Sequence, residues 1–209
     1  MCNLLINNNM DLKRTYRKSS IRILSLTVFC LFAALNAKAQ TNEETLEWIN
    51  ESETRIEKLL NLNKPESCGI DIVDNAANTC NEIIDVTVKI SPLVKRFYLS
   101  SLELDTVETT DSCSTTSIEE LYGLGREIFQ LAEKLSTLVN SMTNITDIVS
   151  SVKATQAIKA SSSVKYITSA MSPVGKEMYL DILLLNELIK AKTGESDLLD
   201  KAKEIFSWL

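Results

Sequence analysis

The 209-residue sequence contains no histidine. Its absence removes the commonest general base and metal ligand. Ser-His-Asp triads and the Glu-x-x-His di-iron sites that helical bundles can host are therefore excluded. Glycine (five) and proline (three) are scarce, so the chain has few of the residues that turn or break a helix. No two cysteines stand two to four residues apart, as zinc-site spacing requires. There is no run of 18 apolar residues, and so no segment that reads as a transmembrane helix. Gly123-Leu124-Gly125 is followed by neither Gly-Lys-Ser nor Gly-Lys-Thr, and no strand precedes it, which excludes a phosphate loop. Inside a helix it permits close approach by a neighbouring helix, at some cost in helix stability.

The N-terminus is rich where the rest is poor. Lys13, Arg14, Arg17, Lys18 and Arg22 precede a mostly apolar stretch from Ile23 to Leu35, and Ala37-Lys38-Ala39 follows before Gln40. Basic, apolar and small-x-small parts in this order read as a secretory leader cleaved between Ala39 and Gln40. This stretch of thirteen residues, apolar but for Ser25 and Thr27, is too short to span about 30 Å of hydrocarbon as a helix. Cys30 lies inside the apolar run behind Phe29, not after a small residue, which argues against a lipid anchor. The chain is thus expected to divide into a leader, 1–39, and one domain, 40–209. The product belongs in the periplasm, outside the cell or on its surface.

The leader takes six of the 22 Lys and Arg and one of the 28 Asp and Glu. Residues 40–209 therefore hold 16 basic and 27 acidic side chains, a formal charge of −11. Such a surface repels phosphate backbones, so nucleic acid is not an expected partner. Three cysteines remain, Cys68, Cys80 and Cys113. Export permits a disulfide, with a local Cys68–Cys80 bridge as the first expectation and Cys113 as the alternative partner of either.

Apolar residues recur at three- and four-residue steps, the period of a helix buried on one face. The longest run is Leu121, Leu124, Ile128, Leu131, Leu135, Leu138, Met142, Ile145, Val149, Val152. Ser117-x-x-Glu120 before it has capping-box form. A second stripe runs from Val73 to Phe97, with Thr87 its one polar step and Pro92 a predicted kink or break. Leu46, Ile49, Ile56, Leu59 and Leu60 mark a shorter helix over about 43–62. After residue 152 the pattern loosens. Val164 to Ile189 keeps a stripe with a slip near Pro173, and Ser172-Pro173 predicts the start of a new helix. Thr193-Gly194 reads as a C-terminal stop, and a last helix is expected over 196–208. The acidic, Thr- and Ser-rich connection 103–116 is the expected mobile loop. The fold class is all-α, an antiparallel bundle of about four long helices plus a short C-terminal one.

Little in the sequence points to catalysis. Ser161, Ser162 and Ser163 stand near Lys159 and Lys165, yet a polar helix face accounts for them. Adjacent carboxylates such as Glu119 and Glu120 favour a helix N-terminus instead of forming an acid–base pair. The weakly charged segment 140–172 suits either a buried helix pair or an amphipathic surface that meets a membrane. The sequence therefore predicts an exported, non-enzymatic bundle, without cofactor or metal, that binds a protein partner or itself. A membrane-active bundle and an accessory subunit of a secretion or conjugation apparatus are the alternatives, with membrane contact ranked below protein contact.

Overall fold

The computed structural model describes residues 42–104 and 116–206. Among them 88% are helical and none forms a strand. The helices are α1 (Asn42–Leu60), α2 (Asp71–Leu104), α3 (Ile118–Ser151), α4 (Ala154–Thr193) and the short α5 (Leu198–Phe206). The leader with its Ala39–Gln40 junction, most of the acidic connection and Cys113 lie outside the described residues.

Local chemistry sets the helix ends. Before α2, Asp74 accepts from the Cys68 and Gly69 amides at 2.9 and 3.0 Å and from the Ser67 hydroxyl at 2.6 Å. Gly69 sits at φ 73°, a backbone conformation that suits a residue without Cβ. The expected capping box opens α3: Ser117 accepts from the Glu120 amide, and the Glu120 carboxylate accepts from the Ser117 amide. Gly194, at φ 82°, ends α4 by donating to the Lys190 carbonyl.

The topology is up-down-up-down. Only Val152 and Lys153 separate α3 from α4, which forces an antiparallel hairpin. Asn81 meets Tyr166 and Ser91 meets Glu177, so contacts ascend together and α2 runs parallel to α4. Ser52 of α1 touches Lys95 of α2, which makes those residues level. A parallel α1 would then set its end some 48 Å of helix from Asp71, whereas the connection from Leu60 to Asp71 reaches at most about 40 Å. Only the antiparallel direction closes.

The predicted break at Pro92 and the predicted new helix start at Ser172-Pro173 are corrected. Both α2 and α4 continue through their prolines, Pro92 and Pro173. Pro92 lies on the exposed side of α2, where the carbonyl freed one turn earlier can turn to water. Pro173 sits in the most enclosed stretch of the molecule, and its neighbours hold the helix on course against the lost hydrogen bond. Helix α4 packs against each of the other four helices. Its residues 173–189 are buried almost without interruption. That is why its stripe slipped: a helix covered on all sides shows no polar face. Thr87, the polar step of α2, is buried and donates to the Ile83 carbonyl at 2.8 Å. Gly125 faces Leu198 of α5, the close neighbour its sequence context suggested.

Candidate functional site

The segment 177–186 of α4 is apolar but for two carboxylates and an amide: Glu177, Asp181 and Asn186. Four residues apart, the two acids lie on one face of the helix. Glu177 has no exposed surface and Asp181 only 1%. A carboxylate this deep needs partners, because an unpaired buried charge costs several kcal/mol. Here α1 and α2 supply them. From α1, Ser52 donates to Glu177 Oε2 at 2.6 Å and the Arg55 Nε pairs with Glu177 Oε1. From α2, Ser91 Oγ lies 2.7 Å from Glu177 Oε2, and the Lys95 ammonium approaches the same oxygen at 3.3 Å. Lys95 also donates to Ser52 Oγ. Three helices thus converge on one carboxylate.

The rest of Arg55 is spent on α1 itself. Its Nη1 meets Glu51 at 2.9 Å and its Nη2 donates to the Trp48 carbonyl at 2.7 Å. The guanidinium carbon lies 6.0 Å from the Trp48 ring centre, and Trp48 in turn meets Tyr179 with ring centres 6.0 Å apart. Each of the three guanidinium nitrogens has an acceptor.

Asp181 is held as an acid. Burial first, and the Glu177 charge second, push its carboxyl up to about 8, against the opposing pull of Ser91, Lys95 and Arg55. The geometry agrees. Ser91 Oγ also lies 2.9 Å from Asp181 Oδ1, yet one hydroxyl hydrogen cannot serve both carboxyls. With Asp181 protonated, its hydroxyl donates to Ser91 Oγ and Ser91 donates to Glu177, leaving no oxygen facing oxygen without a hydrogen.

Two serines, a lysine, an arginine and two carboxylates are thus in contact. Lys95 donates to Ser52 and the Ser52 hydrogen goes to Glu177, so the acceptor for this serine is a carboxylate already held by Arg55 and Lys95, and not the lysine amine. Ser52 is wholly buried in the middle of α1, where backbone N–H groups are committed to the helix and none remains for an oxyanion. The Ser–Lys neighbourhood noted in the sequence is different again. Ser161 and Ser162 are exposed and donate to the Ala157 and Ile158 carbonyls, as a polar helix face would. Ser163 departs from that expectation: it is buried and its hydroxyl has no hydrogen-bond partner among the described residues. Among the described residues, no three His, Cys, Asp or Glu side chains are grouped to hold a metal ion.

The expected Cys68–Cys80 bridge is corrected: among the described residues both are buried free thiols, and the alternative partner Cys113 lies outside them. Cys68 precedes α2 while Cys80 stands nine residues beyond its start, about 14 Å along the axis. A disulfide needs Cα atoms within roughly 7 Å, so bridging would unwind the helix. Burial pushes the Cys80 thiol up to about 12 and raises that of Cys68 as well, which leaves neither a ready nucleophile.

Outside this cluster a groove of about 440 Å³ opens between α1 and α2, lined by the apolar Ile49, Ile56, Pro92 and Leu99 and by the charged Glu53 and Arg96. Lys95 lines the groove as well and so joins it to the cluster. The segment 140–172 buries Ile145, Val149, Ala160, Ile167 and Met171 in the bundle, and no described helix is long and apolar enough to cross a membrane. No protein-family model, curated protein or solved structure matches the chain.

Sequence reasoning passed over the cluster, although a signal was present. Ser52 occupies the register between Ile49 and Ile56, and Ser91 that between Thr87 and Val94. Two acids amid the apolar residues of 177–185 are the third part. Each is a polar residue at a position the helical period assigns to the core.

Proposed function

We propose that this chain is exported, is cleaved before Gln40, and acts outside the cytoplasm as a non-enzymatic helical bundle that binds or scaffolds another protein surface. One observation carries the reading: polar groups that could do chemistry are sealed and spent on one another, while unspent apolar surface faces outward beside them. Of six exposed large apolar side chains among the described residues, five (Leu46, Leu60, Leu93, Leu99 and Leu102) are on α1 or α2. Clustered exposed apolar surface marks interaction sites more often than it marks chance. The uneven charge of residues 40–209 supports a protein partner over a nucleic acid.

Two measurements test the reading together. A serine-directed fluorophosphonate should leave Ser52 unlabelled in the native protein. A photo-cross-linker placed at Ser100 should trap a protein partner in the native envelope or medium, while one at Gln156 on the opposite hairpin should not. Stoichiometric labelling of Ser52, abolished by Lys95→Met, would replace this reading with an enzymatic one.

A further inference from the structure

We infer that the groove between α1 and α2 is half of a homodimer interface, in which α1 of one copy packs on α2 of the other around reciprocal Glu53–Arg96 pairs. The inference rests on the reading that the chain works by association, and it names the partner as a second copy.

The α1 side of the groove carries Leu46, Ile49, Glu53, Ile56 and Leu60, spaced three, four, three and four residues apart. The α2 side carries Val88, Pro92, Lys95, Leu99 and Leu102, spaced four, three, four and three. This is the spacing by which helices mesh side chains with one another. Yet within one chain the two stripes do not close. Leu60 is 66% exposed and Leu46 43%, and Leu99 and Leu102 are similarly bare. Each helix turns its other side to Glu177 and the core. What remains is a layer of two antiparallel helices with a shallow apolar furrow along it.

Charge selects the occupant and its orientation. Glu53 and Arg96 line opposite walls of the groove, and neither forms an ion pair within the chain among the described residues. Two twofold arrangements can cover such a layer face to face. With the axis across the helices, α1 meets the partner's α1, and Glu53 at the groove's centre meets its own copy. With the axis along the helices, α1 meets the partner's α2 at an unchanged height. Because Ser52 and Lys95 are level and the two helices antiparallel, Glu53 then lies within about 3 Å in height of the partner's Arg96, and Arg96 of the partner's Glu53, within reach of both long side chains. The same register sets Leu46 near the partner's Leu102, Ile49 near the partner's Leu99, and Ile56 near the partner's Pro92. An isologous contact repeats each favourable pair twice. Like charges opposed in an interface cost several kcal/mol, which disfavours the crossed arrangement.

The test is sedimentation of the protein as exported, at about 0.15 M salt, where charges beyond about 8 Å are screened. The intact protein should sediment as a dimer at about 100 µM and dissociate on dilution. Glu53→Arg and Arg96→Glu should each weaken the dimer about tenfold or more, and the two together should restore it. Both positions are exposed, so circular dichroism and thermal melting should show each variant folded. A monomer at every concentration overturns the inference, as does a dimer that the double exchange fails to rescue. A monomer whose Ser100 cross-linker still traps a foreign protein overturns the dimer alone and leaves the binding reading standing. Failure of both assays would bring down the two together.

Discussion

Helices α1 and α3 both pack into the bundle, by opposite means. Helix α3 buries nine residues, Leu121, Gly125, Ile128, Leu131, Ala132, Leu135, Leu138, Ile145 and Val149, and none is charged or hydrogen-bonds through its side chain. Helix α1 buries Ile49 and Leu59, but between them it buries Ser52 and Arg55. The first contact is a dry seam, which tolerates sliding and repacking as long as volume is kept. The second is a directed one: Glu177 can accept from Ser52, Arg55, Ser91 and Lys95 together in only one register of α1. The difference assigns distinct tasks. The α3–α4 seam supplies stability, and the Glu177 cluster fixes where a short helix with little apolar surface must sit. That placement in turn sets the width of the groove beside it.

Breaking the ionic side of the comparison should have the largest effect. Glu177→Ala takes from Lys95 its counter-charge and leaves Arg55 only Glu51, and should cost about 3–5 kcal/mol in urea unfolding at neutral pH. Ile128→Ala in the dry seam should cost a similar 2–5 kcal/mol. The two are told apart by compensation. Joining Glu177→Leu with Arg55→Met and Lys95→Met should recover most of the loss, since apolar replacements of buried ion clusters are often neutral, whereas no polar exchange rescues Ile128→Ala.

A smaller effect depends on pH. The folded chain keeps the Asp181 proton to about pH 8, while an unfolded aspartate releases it near 4. Between those values unfolding releases a proton, so this group lowers stability by about 1.4 kcal/mol per pH unit as pH rises. Asp181→Asn keeps a donor for Ser91 and removes the titration. Stability followed from pH 5 to 8 should fall less steeply in that variant than in the parent, and parallel curves would contradict the protonated assignment. Smallest is Gly123→Ala on α3. A Cβ there meets nothing within 4 Å, so the gain in helix propensity should appear undiminished, raising stability by about 0.5–1 kcal/mol.

The same contrast explains how much could be read from the sequence. The stripe of α3, its capping box and the Gly194 stop were legible because one-sided burial writes its period into the chain. The unbroken course of α4 was not. Pro173 and Gly175 look like a boundary when read locally, and only the surrounding helices show why they are tolerated. The cluster was hidden for a different reason. Ser52, Ser91 and Lys95 are ordinary members of helical faces, and their meaning depends on Glu177, more than 80 residues away. The Cys68–Cys80 expectation came from spacing alone, which says nothing of how far a helix carries the second cysteine from the first.

Amide hydrogen exchange on Glu177→Ala tests the central claim most directly, since the cluster is held to anchor α1 and not to support the bundle at large. At neutral pH and below the unfolding midpoint, protection should collapse across residues 45–60, while residues 121–149 and 178–189 lose no more protection than the global destabilisation of about 3–5 kcal/mol requires. Loss of protection spread evenly over α1, α3 and α4, or α1 protection that survives the substitution, would contradict it.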